Sequence, residues 1–183
     1  MADSRIVTTP VARLSFPNLQ TARADMDTSK PPRFSCDLLF DKDADISSLR
    51  KAAQAAAEAK WGDKIPKNLK SPFKDGDDKD REEYAGMIYI SPWSTQRPGL
   101  AVGRNKELVP LEQIGEVFYG GCYVAASISA WAYDNSGNQG VSFGLNHVLK
   151  VREGDPFSGR PTTEQAFADV DAEAFGEEAP SWL

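Results

Sequence analysis

Histidine is almost missing from this sequence: His147 is the only one in 183 residues. Zinc sites and nucleophilic triads built on imidazole therefore have little to draw on, and no metal site is expected. Cysteine is scarce too. Cys36 and Cys122 each lie in an apolar, strand-like segment, which suits two buried thiols, and a disulfide framework needs more cysteines. No apolar segment of the secretory kind follows Met1, and no run approaches the ~20 apolar residues of a membrane span. A cytoplasmic protein with no membrane partner is expected. A Gly-rich phosphate loop, a dinucleotide fingerprint and a nucleophile elbow are all absent. Asp41-Lys-Asp-Ala-Asp45 opens like a calcium loop but has Ile46 where glycine is required, so it reads as a turn. No catalytic residue and no cofactor emerge, and the chain reads as a non-enzyme.

Basic residues are missing from one stretch only. After Arg160 there is no Lys or Arg, but six acids: Glu164, Asp169, Asp171, Glu173, Glu177 and Glu178. Residues 1–163 then hold 21 acids against 21 bases, so the net charge of −6 belongs to that stretch. A neutral body can carry a basic groove, and the acidic total does not argue against nucleic acid.

What is present is mostly β. Residues 5–16 are rich in β-branched side chains and read as a first strand, with Pro10 marking an edge or a bulge. Residues 17–32 look turn-rich. Arg33–Phe40 alternates as a strand, and a helix is expected from Ile46 to about Ala59, capped by Asp45 or Ser47 and stopped by Gly62. Residues 61–86 form a charged insertion, and Met87–Ile90 a short strand. Cys122–Tyr133 and Val141–Val151 are two long strands joined across 134–140, where Gly and Asn favour a hairpin. Residues 160–183 show no such pattern and are expected to be disordered. The fold this predicts is an OB-fold-like Greek-key β-barrel over 1–159 with one helix and long loops, followed by an acidic flexible tail over 160–183.

Period-2 geometry divides the first long strand into two faces. Cys122, Val124, Ala126, Ile128, Ala130 and Ala132 are small and apolar and read as interior. Tyr123, Ala125, Ser127, Ser129, Trp131 and Tyr133 share the other face. Along the second strand Val141, Phe143, Leu145, His147, Leu149 and Val151 read as interior. Ser142, Gly144, Asn146, Lys150 and Arg152 read as exterior, together with Val148. Aromatics spaced by small polar residues and flanked by cations suit sequence-independent single-strand binding, because any base stacks on a ring while cations follow phosphates. The predicted DNA-binding set is Tyr123, Trp131 and Tyr133 for stacking, with Arg13, Arg33, Lys150, Arg152, Lys70 and Lys74 for phosphates. A tail running Glu177-Glu178-Ala-Pro-Ser-Trp182-Leu183 reads as a docking segment for a protein partner and as an anionic competitor for the protein's own groove. The rival reading is a structural or interaction component that offers the same aromatic face to a protein.

Four stretches together are similar to a known family: Arg13-Leu-Ser-Phe-Pro-Asn-Leu19, Asp37-Leu-Leu-Phe-Asp-Lys42, Pro72-Phe-Lys-Asp-Gly-Asp77, and Gly120-Gly-Cys-Tyr-Val124 through Gly140-Val-Ser-Phe-Gly-Leu-Asn146. They resemble, in order and over about residues 5–157, the bacteriophage single-stranded-DNA-binding family DUF2815. The resemblance implies an OB-fold, single-stranded DNA as partner, and a role in phage replication or recombination inside the host cytoplasm. It further implies replication or recombination proteins as partners of the tail. Duplex DNA is expected to bind more weakly, and a homodimer is a further partner to test.

Overall fold

The computed structural model describes residues 3–157 and 163–170. Its centre is a hairpin of two long strands, β9 (Tyr123–Asn135) and β10 (Asn138–Arg152). The turn is only Ser136-Gly137, both at positive φ (53° and 89°), the primed geometry that matches strand twist. The hairpin is therefore tighter than the expected 134–140 connection, since Asp134 and Asn135 continue β9 and Asn138 to Gly140 already belong to β10.

Residues 5–16 do not make one strand. Pro10, without an N–H to donate, separates β1 (Ile6–Thr8) from β2 (Ala12–Arg23). β2 runs on through the supposed turn region to Arg23 by way of register shifts against β3 (Arg33–Asp41). After β3 come α1 (Ser47–Trp61), β4 (Lys74–Asp75), β5 (Met87–Ile90), β6 (Trp93–Ser94), β7 (Gly99–Val102), β8 (Glu107–Leu108) and α2 (Ile114–Val117). Beyond β10 lies one further helical turn, α3 (Thr163–Ala166). The single expected helix is thus accompanied by two one-turn helices.

The pairings run round a ring. β9 pairs with β2, β2 with β3, β3 with β6, β6 with β10, and β10 with β9. Three seams are short: Ala12 and Arg13 against Val124 and Tyr123, Phe34 and Ser35 against Ser94 and Trp93, and Trp93 against Gly144. This is a partly open five-strand barrel of OB type, with β1, β5 and β7 added at its margins. Val124, Ala126, Ile128 and Ala130 fill the interior with Leu14, Leu38, Phe40 and Phe143. α1 covers this core with Leu49, Ala52, Ala53, Ala56 and Ala57, whose small side chains let the helix sit close to β9. Neither Asp45 nor Ser47 is the N-cap: Ile46 takes that place without a side-chain cap bond, while the Asp45 carboxylate accepts the Ser47 N–H at 3.0 Å beside it, and Gly62, at φ 57°, ends the helix. Cys36 and Cys122 are buried free thiols; burial pushes both up, Cys122 to about 11. Among the described residues, no helix is long and apolar enough to cross a membrane.

The parity of β10 changes midway. A register shift between Leu145 and His147 leaves Asn146 as an extra residue, and alternation resumes one step out of phase. His147 is therefore exposed instead of alternating with the core. Val148 and Lys150 turn inward, each about nineteen-twentieths buried or more, and Val151 turns outward.

Candidate nucleic-acid interface

The outer face of β9 carries Trp131 and Tyr133, their ring centroids 5.7 Å apart. A third ring joins them from another strand. Trp93, on two-residue β6, meets Trp131 edge-on at 5.6 Å and 81°. Between β6 and β9 on this face lies Gly144 of β10, which has no side chain to obstruct the lane. The Arg33 guanidinium stacks on Trp93 at 3.8 Å, and its Nε is buried with no hydrogen-bond partner among the described residues. At the other end Lys70 pairs its backbone with Gly140, and a Cβ at Gly140 would lie 2.5 Å from the Tyr133 hydroxyl and 2.9 Å from Lys70 Cβ. Only glycine lets Tyr133 and Lys70 meet there. The result is one continuous strip, Lys70–Tyr133–Trp131–Trp93–Arg33, bordered by Ser129, whose hydroxyl accepts from Asn146 at 2.7 Å. Trp131 is 38% exposed, high for so large a ring.

Tyr123 shares the face of Trp131 but lies eight residues down β9, roughly 26 Å away. It is held between Arg13 (5.3 Å) and Arg152 (4.0 Å). Arg13 is already committed: it donates to the carbonyls of Gly121 and Asp155 and stacks on Phe157 at 4.4 Å, fastening residues 153–157 to the barrel. The expectation for Lys150 does not fit its position. The bulge turns it inward, where it pairs with Glu153 at 2.5 Å and lies over Tyr119 at 4.9 Å. Lys74 is exposed but belongs elsewhere, 5.4 Å from Tyr89 and donating to Ser91 at 3.2 Å. Glu177, Glu178, Trp182 and Leu183 lie outside the described residues.

Trp93 was missed because a two-residue strand has no periodicity. Its signal was parity: Tyr89, Ser91 and Trp93 share one face, opposite Leu39 and Ser35 of β3.

The Lys150–Glu153 pair has a pH signature. Burial alone would raise the Glu153 carboxyl, but hydrogen bonds from Lys150 and Tyr119 outweigh it and leave it below its ordinary range. Burial, then donation to Glu153, pushes Tyr119 up to about 12. A carboxyl lowered in the folded state contributes stability above its unfolded pKa and loses it as pH falls through the folded value. Stability supplied by this latch should therefore decline below about pH 4.3, and in Glu153→Gln that part of the acid limb should be flatter. Denaturant unfolding across pH 2.5–6 checks this, and an unchanged acid limb would contradict it.

A small, partly open barrel whose outer face joins aromatic rings to arginine and lysine is the architecture of an OB-type single-strand-binding module. Residues 4–176 match the family model described as Enterobacter phage Enc34, ssDNA-binding protein, and the chain belongs to that family. This is the kind of family, phage single-stranded-DNA-binding proteins, that the sequence motifs indicated. The single-stranded DNA-binding protein from bacteriophage Enc34, in a structure complexed with ssDNA, superposes with a TM-score of 0.74 at 26% identity, over 84% of this chain and 90% of that one. The protein p50 of Acyrthosiphon pisum secondary endosymbiont phage 1 is 33% identical over 123 residues, 62% of this chain; the match spans 65% of that relative's length. The bacteriophage T7 single-stranded DNA binding protein gp2.5 shares the fold at a TM-score of 0.58 and 14% identity, over 96% of this chain and 98% of its own.

Proposed function

We propose that this protein binds single-stranded DNA without sequence preference, as a non-enzymatic component of phage DNA replication, recombination or repair. Bases stack on Trp131, Tyr133 and Trp93, and Arg33 and Lys70 at the two ends of the strip meet the phosphates. The observation that carries this reading is the strip itself, three adjoining rings with a cation at each end on an outer barrel face. Family membership supports the same conclusion. Stacking requires unpaired bases, so single strand should outcompete duplex of equal length. Fluorescence-anisotropy competition with a labelled oligo-dT tests this, and equal competition by duplex would contradict it.

The acidic stretch after Arg160 serves two purposes in this reading. Glu177, Glu178, Trp182 and Leu183 recruit replication or recombination proteins, and the six acids compete with DNA for the cationic face. The charge segregation in the sequence supports this, as does the course of residues 153–157, which Arg13 holds beside Arg152. Deleting residues 164–183 should tighten oligo-dT binding, most at low salt, because competition between exposed charges is screened by ions. Affinity unchanged at every salt concentration would leave recruitment as the tail's only role.

A further inference from the structure

A second cationic and aromatic group lies across β2 and β3, outside the strip. Phe16 stands at a register shift of β2, between Ser15 and Asn18, with φ at 44°. A bulky residue in the left-handed region is strained, and strain of this kind gathers at binding sites. The bulge aims the ring outward, so that Phe16 is 41% exposed and not packed into the core. Arg81 lies over it at 4.4 Å, Lys79 at 5.0 Å, and Tyr84 at 6.3 Å. Beside it opens a cavity of about 330 Å³ lined by Phe16, Arg23, Asp37, Lys79 and Arg81 among others. That is near the small end of ligand sites and of the size for one nucleotide.

The charges here are unevenly matched. Asp37 is saturated by Ser91, Tyr84 and Lys79 and consumes the Lys79 charge. Among the described residues Arg81 has Glu83 as its one carboxylate partner, at 3.4 Å, and its own side chain is 43% exposed, open to a phosphate. Arg23 stands directly opposite Arg33 across the β2–β3 pair, and neither has a carboxylate within 4 Å among the described residues. Like charges facing each other across strands are unfavourable, and an anion bound between them removes the penalty. Arg33 is also the cation that caps Trp93. The two arginines therefore link the Trp93 end of the strip to the Phe16 cavity.

We propose that this cavity is a second subsite for the single strand, taking one unpaired nucleotide with its base against Phe16 and its phosphate on Arg81. A neighbouring phosphate lies between Arg23 and Arg33. The strand then crosses β3 and β2 from Trp93, and does not run along β9 to Tyr123. This inference rests on the single-strand-binding reading above.

The test uses the full chain and oligo-dT from about 4 to about 16 nucleotides, read by fluorescence anisotropy at several salt concentrations. Phe16→Ala should weaken binding of the longest oligonucleotide by about 5- to 100-fold, the loss of one stacked base. It should leave the shortest that still binds almost unaffected. Arg23→Gln should lower the salt slope by about 0.7. Tyr123→Ala reads the other route and should bind long oligonucleotides as the wild type does. Should Phe16→Ala fail to fold, Phe16→Leu keeps an apolar contact with Tyr84 but offers no ring, and should show the same loss with Tm preserved. Wild-type binding with the Phe16 and Arg23 variants unaffected would overturn the subsite alone. Loss on Tyr123→Ala instead would place the strand along the hairpin. No binding by the wild type would overturn the underlying reading as well.

Discussion

Replacing Trp93 and Trp131 together with alanine should cost roughly 2–5 kcal/mol of single-strand affinity, about two stacked bases. Each ring offers a face to a base, and each also holds the other in place through their edge-on contact at 5.6 Å. The single variants should therefore be non-additive, with Trp131→Ala alone costing about 1–3 kcal/mol and already loosening Trp93. Folding should survive, because Trp131 is substantially exposed and neither tryptophan belongs to the buried cluster inside the barrel. Anisotropy titrations with oligo-dT, alongside thermal unfolding, measure both quantities. A double variant that binds within about threefold of wild type would mean that the strip does not stack bases.

The second large effect is on stability. Asp37→Ala should cost about 3 kcal/mol, the lower end for breaking a buried ion pair. Asp37 is 8% exposed and receives three donors: Ser91 Oγ at 2.6 Å, the Tyr84 hydroxyl at 2.5 Å and Lys79 Nζ at 3.0 Å. Alanine leaves the fully buried Tyr84 hydroxyl without that acceptor and Lys79 without its counter-charge. Lys79 keeps some access to water, which is why the lower end applies. Burial, then donation to Asp37, pushes the Tyr84 phenol far up, so it remains a donor at any working pH. Asp37→Asn keeps one carbonyl oxygen as acceptor and should cost less. Urea unfolding with an unchanged m-value checks the ranking, and a loss below about 1 kcal/mol for Asp37→Ala would contradict it.

The elements of the barrel differ in how far they could be read from the sequence. The interior and exterior of β9 followed from simple alternation, because no bulge interrupts Tyr123–Asn135 and its inward positions are all small and apolar. The helix was legible from its alanines and from Gly62. β10 was legible only as far as Leu145. A one-residue bulge at Asn146 has no signature in residue type, yet it reverses the side chains from His147 to Lys150, so Lys150 moved from a predicted phosphate contact to a buried partner of Glu153, before a second shift ahead of Arg152 returns that residue to the outer face. Of the strip's five residues only Trp93 was absent from the sequence reading. Trp131, Tyr133 and Arg33 lie on strands with a clear period, whereas Trp93 sits on a two-residue strand, and Phe16 and Lys79, outside the strip, reach the surface from a bulge and an irregular loop. There, position is set by long-range pairing and not by local pattern. Lys70 was placed in the insertion on charge alone. What puts it beside Tyr133 is a backbone bridge to Gly140, seventy residues away in sequence.

Intrinsic tryptophan fluorescence of the full chain during titration with oligo-dT, at two or more salt concentrations, tests the central claim most directly. Saturable quenching is predicted, smaller in Trp131→Ala, with an affinity that falls as salt rises by a log–log slope on the order of −1.5 to −3, for about two to four neutralised phosphates. Tight binding with no quenching and no salt dependence would contradict the account and reassign the aromatic strip to a protein partner.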